Sequence, residues 1–175
     1  MSKVIAITGP SGAGKTTVAE EFTRRNKSFA NIDVDHLKHM NPNAFDKDSS
    51  EATDEHVPYL AWGLLGKNIA IIAKNFIDEG LDVIINGYLE VEAWEAIAHD
   101  VKLDHKLLLL PDESTNIQRD GQRTEDIKMG EKAVLRGQQY FKTTSFYDSF
   151  HAIDTSDNSL EDTVTRIAEL FLNES

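Results

Sequence analysis

The chain is 175 residues long, enough for one well-buried domain and short for two. Hydrophobic residues make up 40% of it, which excludes a disordered composition, and the lack of cysteine excludes disulfides and thiolate metal sites. Eighteen Lys and Arg stand against 30 Asp and Glu, a formal net charge of −12 that repels nucleic acid and anionic membrane at long range. No apolar run approaches the roughly 20 residues of a membrane span, and no basic segment leads into a long apolar one at the N-terminus. These features predict a soluble cytoplasmic protein, a monomer or homodimer, with neither nucleic-acid nor membrane partners.

Apolar runs alternate with helical patterns along the chain. Val4–Thr8 reads as a buried strand, and Lys15–Arg25 as a helix with Val18, Ala19 and Phe22 on one face. Phe29–Val34 is a second strand, followed by a short helix over His36–Met40. Pro58–Glu79 has Leu60, Leu64, Ile69, Ile72 and Phe76 at helical spacing, with Gly80 at its end. Leu81–Asn86, His105–Leu110 and Phe150–Asp154 complete five strands, with a helix over Val91–His99 between the first two of these. Ser159 is the expected N-cap of a last helix reaching Leu172. Such alternation predicts a parallel sheet covered on both faces. Two charged segments interrupt it, Asn41–Val57 and Arg119–Tyr140.

Between the first strand and the first helix lies Gly9-Pro10-Ser11-Gly12-Ala13-Gly14-Lys15-Thr16, followed by Thr17. It fits G-x-x-x-x-G-K-[ST]. Glycines there let successive N–H groups turn inward around an anion, and the helix N-terminus adds partial positive charge. The pattern assigns residues 9–17 to nucleotide binding, Lys15 to the β- and γ-phosphates, and the Thr16 hydroxyl to magnesium. A chance match in a chain of this length has odds of roughly 0.6%, so a ligand-free glycine turn is the weaker alternative. No N-K-x-D or D-x-x-G element occurs, which argues against a switch GTPase. A small ATP- and Mg2+-dependent phosphotransferase remains.

The N-terminal phosphate loop, the stretch NIDVDHLKHM, an arginine-containing segment before the last strand and the ending SFYDSFHAIDTSDNSLEDTVTRI together resemble the small P-loop kinases. These are the shikimate, gluconate and adenylylsulfate kinases and the chloramphenicol phosphotransferase-like group. The resemblance implies one P-loop kinase domain over residues 1–175. It would have an α/β three-layer sandwich with five parallel strands in the order 2-3-1-4-5. An acceptor-binding insert would cover about 36–66 and a small lid about 119–140. Similar kinases carry an aspartate where Asp35 stands, so Asp35 is the expected base or hydroxyl-orienting group, and Asp33 would help hold magnesium through water. The alternative is that Asp35 only caps the short helix. Arg119 and Arg123, one helical turn apart, match lid arginines that stabilise the transferring group, and Arg119 is also a nucleotide contact. Arg136 is a third candidate. The acids around all three equally fit a solvated face.

Other residues carry weaker signals. His36 and His39 have no evident third metal ligand, so they are expected to line the acceptor pocket or face solvent. Asn86 stands where many P-loop proteins carry an aspartate; its amide oxygen can still hold a metal-bound water but brings no charge. Gly87 is expected to admit substrate close to the backbone, with Tyr88 facing the pocket. Trp94 is expected in the core, while Trp62 is open between core and pocket.

The acceptor class follows from missing arginine. None of the six, Arg24, Arg25, Arg119, Arg123, Arg136 and Arg166, lies between Asn26 and Gln118, where the acceptor would bind. A nucleoside monophosphate kinase would need a planar fork there for its dianionic substrate. Asn41–Val57 instead carries Asp46, Asp48, Glu51, Asp54 and Glu55. The expected acceptor is therefore a neutral or cationic hydroxyl compound. The alternatives are a nucleoside monophosphate kinase and a nucleotide-binding regulator without an acceptor.

Overall fold

The computed structural model describes residues 2–41, 57–125 and 127–172. The acidic residues of the 41–57 segment lie outside the described residues. Strands β1 (Val4–Thr8), β2 (Phe29–Asp33), β3 (Asp82–Asn86), β4 (His105–Leu109) and β5 (His151–Ile153) form one sheet in the order β2-β3-β1-β4-β5. All four pairings are parallel, as expected. All five residues of β1 are buried because the sheet is covered on both faces. Val4 and Ala6 enter one apolar cluster, and Ile5 and Ile7 enter the other.

One face is covered by α1 (Lys15–Arg25) and α7 (Leu160–Leu172). The other carries α3 (Val57–Asp78) and α4 (Val91–Asp100), with α5 (Glu113–Gly121) and α6 (Glu131–Thr143) packed together nearby. The five-residue α2 (Val34–Lys38) leads out of β2. Ser159 caps α7 as predicted. Its Oγ accepts the Asp162 N–H at 3.1 Å, and the Asp162 carboxylate accepts the Ser159 N–H at 3.1 Å. Among the described residues, no helix is long and apolar enough to cross a membrane.

Three expectations need correction. The short helix runs over 34–38 rather than 36–40, and its cap is Asp33, whose carboxylate accepts the Asp35 N–H at 2.9 Å. Asp35 is therefore not the cap. On α3, Leu64 faces solvent at 52% exposure, whereas Ala61, Leu65, Ile69 and Ala73 are buried. The reason is close helix packing: a Cβ on Gly66 would lie 2.4 Å from the Ala93 carbonyl oxygen, so small residues occupy the contact face. Finally, α5 and α6 reach into Arg119–Tyr140, the segment read as interrupting the alternation of elements. The buried residues of α5 are Asn116 and Asp120, so apolar periodicity could not reveal it.

The close neighbour at Gly87 is protein. A Cβ there would meet the Val34 Cβ at 2.6 Å, and φ is +153°. Gly87→Ala is expected to destabilise the fold by about 2 kcal/mol or more through combined clash and backbone strain. Denaturant unfolding of this variant checks the loss.

Candidate active site

At the carboxyl edge of the sheet lies a cleft of about 1640 Å³. Parallel α/β sheets place ligands at this edge because loops from adjacent strands diverge there. The phosphate loop forms its floor, with Gly12 and Gly14 at φ +80° and +89°. These left-handed conformations let the loop's backbone curl around an anion. Lys15 Nζ donates to the Pro10 carbonyl at 2.8 Å, which folds the side chain back over the loop. Burial lowers the Lys15 pKa to about 8, assisted by Lys38 and Arg123 and opposed by Asp35 and Asp33. Thr16 and Thr17 also line the cleft at the start of α1.

The loop is held from behind by side chains of α5 and α6. The Asn116 amide donates to the Ser11 carbonyl, and Gln138 donates to Asn116 Oδ1 and the Pro111 carbonyl, each at 2.8 Å. Asp120, only 1% exposed, accepts from the Ser11 hydroxyl at 3.3 Å and from the Gly130 N–H at 2.8 Å. Burial pushes its carboxyl up, but the Gly130 and Met129 N–H groups and Arg123 outweigh this and hold it below its ordinary value. Asp120 is thus part of a buried framework rather than a solvated face. No spacing signal singled it out, since a buried acid and an exposed one look alike in sequence.

The three candidate arginines all line the cleft, differently held. Arg119 donates to the Thr155 carbonyl at 2.7 Å, which fixes its guanidinium against the segment after β5. Arg123 lies beyond the end of α5, so it does not share a helix face with Arg119. It donates to the Ser11 hydroxyl and sits 3.5 Å from Asp120. Arg136, on α6, is exposed.

The other end of the cleft carries Asp35, Lys38, His39, Trp62, Tyr88 and Glu90. The Asp35 side chain is 59% exposed, and its Oδ1 is 3.0 Å from Lys38 Nζ. Desolvation pushes the Asp35 carboxyl up, while Lys38, Lys15 and His39 together hold it below its ordinary value. Tyr88 faces the cleft as expected and donates to Glu90 at 2.5 Å. Trp62 both lines the cleft and packs against the core, whereas Trp94 is fully buried. His39 lines the cleft; His36 is exposed and does not. Among the described residues, no group of three or more His, Asp or Glu side chains could hold a metal ion. Asp33 and Asn86 are paired across β2 and β3 at the carboxyl edge. Asn86 is buried, and its Oδ1 has no hydrogen-bond partner among the described residues.

The sequence profile described as Zeta toxin matches residues 2–110. A sugar kinase from Janibacter sp. superimposes with TM-score 0.73 at 14% identity, covering 98% of this chain and 95% of its own. A shikimate kinase from Acinetobacter baumannii, in complex with shikimate, gives 0.68 at 16% identity, with coverage of 100% and 96%. A thymidylate kinase from Candida albicans gives 0.72 at 14% identity, with coverage of 99% and 92%. At these identities the likeness shows the fold, that of the P-loop kinases. No curated protein matches the chain.

With Lys15 expected at the phosphates of a bound nucleotide, its lowered pKa predicts a pH dependence for that binding. A phosphate beside the ammonium favours the charged form, so the bound-state pKa lies above the free value of about 8. Affinity is therefore full below pH 8 and falls as pH rises through that value. Calorimetry at pH 8.5 in buffers of different ionisation enthalpy should show uptake of a fraction of a proton with ATP, and none in Lys15→Met. Equal heats across buffers for the unmutated chain would contradict the assignment.

Proposed function

The chain belongs to the Zeta toxin family, and from that premise and the cleft's geometry we propose an ATP- and Mg2+-dependent kinase that phosphorylates a hydroxyl of a small molecule. One observation carries the reading: the Asp35 carboxylate lines the same cleft as the phosphate loop, close enough to Lys15 for each to shift the other's titration. A kinase needs this pairing of a cation for the transferring phosphoryl group and a carboxylate for the attacking hydroxyl.

In this reading the loop's N–H groups and Lys15 hold the β- and γ-phosphates. Arg119, fixed by Thr155, supports the nucleobase end. Arg123 and Arg136 face the phosphates from the lid, residues 119–140, where positive charge stabilises the transition state and closure excludes water. Asp35 orients the acceptor hydroxyl and takes its proton as the oxygen attacks. The residues fit a magnesium ion: the Thr16 hydroxyl, the Asp33 carboxylate oxygen not used by the cap, and the unpartnered Asn86 Oδ1. The chemistry magnesium supplies there is neutralisation of charge on the phosphate oxygens.

The acceptor is read as neutral or cationic. The acceptor end of the cleft has no arginine, and its lysine, Lys38, is already committed to Asp35 and to the Tyr88 carbonyl. Aromatic walls from Trp62, Tyr88 and Tyr140 suit a ring-bearing alcohol. The absence of cysteine fits a reducing compartment such as the cytoplasm.

ADP release measured across a panel of sugars, nucleosides, amino alcohols and nucleoside monophosphates should reveal turnover on an uncharged or cationic member. Phosphorylation of a monophosphate with no activity on any uncharged alcohol would overturn the acceptor class. On the active compound, Asp35→Asn should lower turnover roughly 100-fold while ATP affinity stays within about twofold. Near-normal turnover would remove Asp35 from the chemistry.

A further inference from the structure

We propose that Lys38 is a positioning residue for Asp35: an ammonium clamped by the cleft wall that fixes one carboxylate oxygen and leaves the other for the acceptor. The proposal rests on the reading of Asp35 as the hydroxyl-orienting group. The two residues are three apart on α2, so they lie on one face a turn apart. A surface pair at this spacing is ordinarily loose, because two long side chains lose entropy in a single geometry. This pair is not built that way. The Lys38 side chain is only 15% exposed, and its Nζ donates to the Tyr88 carbonyl at 2.7 Å as well as to Asp35 Oδ1 at 3.0 Å. The same nitrogen lies 5.2 Å from the Trp62 ring centroid and 5.6 Å from that of Tyr88. Three contacts, two from Tyr88 after β3 and one from Trp62 on α3, thus immobilise the ammonium before it meets the carboxylate.

Two consequences follow. Asp33 secures the start of α2 through the Asp35 N–H, and Lys38 secures the Asp35 side chain, so the carboxylate has a fixed direction although it stands 59% exposed. The ammonium also sets the charge balance between Asp35 and Lys15. Asp35 is faced by Lys15 from α1 and by Lys38 and His39 from its own helix end, with Asp33 beside it. The nearby acid Glu90 is occupied by the Tyr88 hydroxyl. Removing Lys38 leaves Lys15 as the main cation for Asp35, and the carboxylate is free to turn toward the phosphate loop, away from the acceptor.

The test uses the full-length protein and the panel compound that turns over. Lys38→Met should lower kcat roughly tenfold, with ATP affinity and acceptor KM within about twofold, and Lys38→Arg should recover most of the loss. In the Asp35→Asn chain the same Lys38→Met change should cost little further, because the carboxylate that Lys38 positions is gone. Lys38→Gln serves if Lys38→Met does not fold. Unchanged kcat in Lys38→Met, or an equal further loss in the Asp35→Asn background, overturns the proposal. Normal turnover of Asp35→Asn alone instead removes the role that Lys38 is said to serve, so the two failures are told apart.

Discussion

A loop that wraps a polyanion has to point its backbone N–H groups at the ligand, so it cannot be braced from inside. Everything in this site depends on bracing it from behind. Here the brace is a buried polar framework: Asn116 on the Ser11 carbonyl, Gln138 on Asn116, and Asp120 between the Ser11 hydroxyl and the backbone at Gly130. Leaving any of these buried groups unpaired costs on the order of 1–3 kcal/mol, so the members hold one another in place. The same framework ties the loop to α5 and α6, the elements that carry Arg119 and Arg136. Position of the phosphate loop and position of the arginine-bearing segment are therefore one mechanical problem with one solution.

The cleft carries both signs of charge. Lys15, Arg119, Arg123, Lys128 and Arg136 line it together with Asp35, Glu90 and Glu125, and Lys38 is locked between Asp35 and the Tyr88 carbonyl. A chain with a formal net charge of −12 thereby gathers five cationic side chains besides Lys38 around one cleft. The Lys15 ammonium, pushed down by burial to about 8, is poised to strengthen its charge when a phosphate arrives. The aromatic wall at the far end runs into the core: Tyr88 packs against Phe141 at 5.6 Å, and Phe141 against Tyr147 at 4.7 Å between ring centroids. The end of the cleft at Tyr88 is thus built on rigid packing rather than on a free loop.

Much of the fold was legible in the sequence because its carriers are local. Five apolar runs became five strands within a residue or so of their expected ends, and the phosphate loop lies between β1 and α1 as its spacing requires. The Ser159 cap was legible for the same reason, since a capping box is a four-residue signal. The fold and the strand order followed from resemblance to the small P-loop kinases, which the shared architecture with kinase structures bears out. Periodicity misplaced Leu64, because α3 packs on α4 through alanines and Gly66 instead of its largest side chains.

What only the tertiary structure decided are the relations between distant positions. Asp33 rather than Asp35 caps α2, which frees the Asp35 carboxylate for the cleft. Asp120, indistinguishable in sequence from a solvated acid, is buried beneath the phosphate loop. Lys38 meets Asp35 through helical spacing, but its clamp comes from the Tyr88 carbonyl 50 positions away and from Trp62 on another helix. The physical reason is common to all three. Short-range signals record how a segment satisfies its own backbone, whereas the burial and charge state of a polar side chain are set by whichever elements the sheet's register brings alongside it.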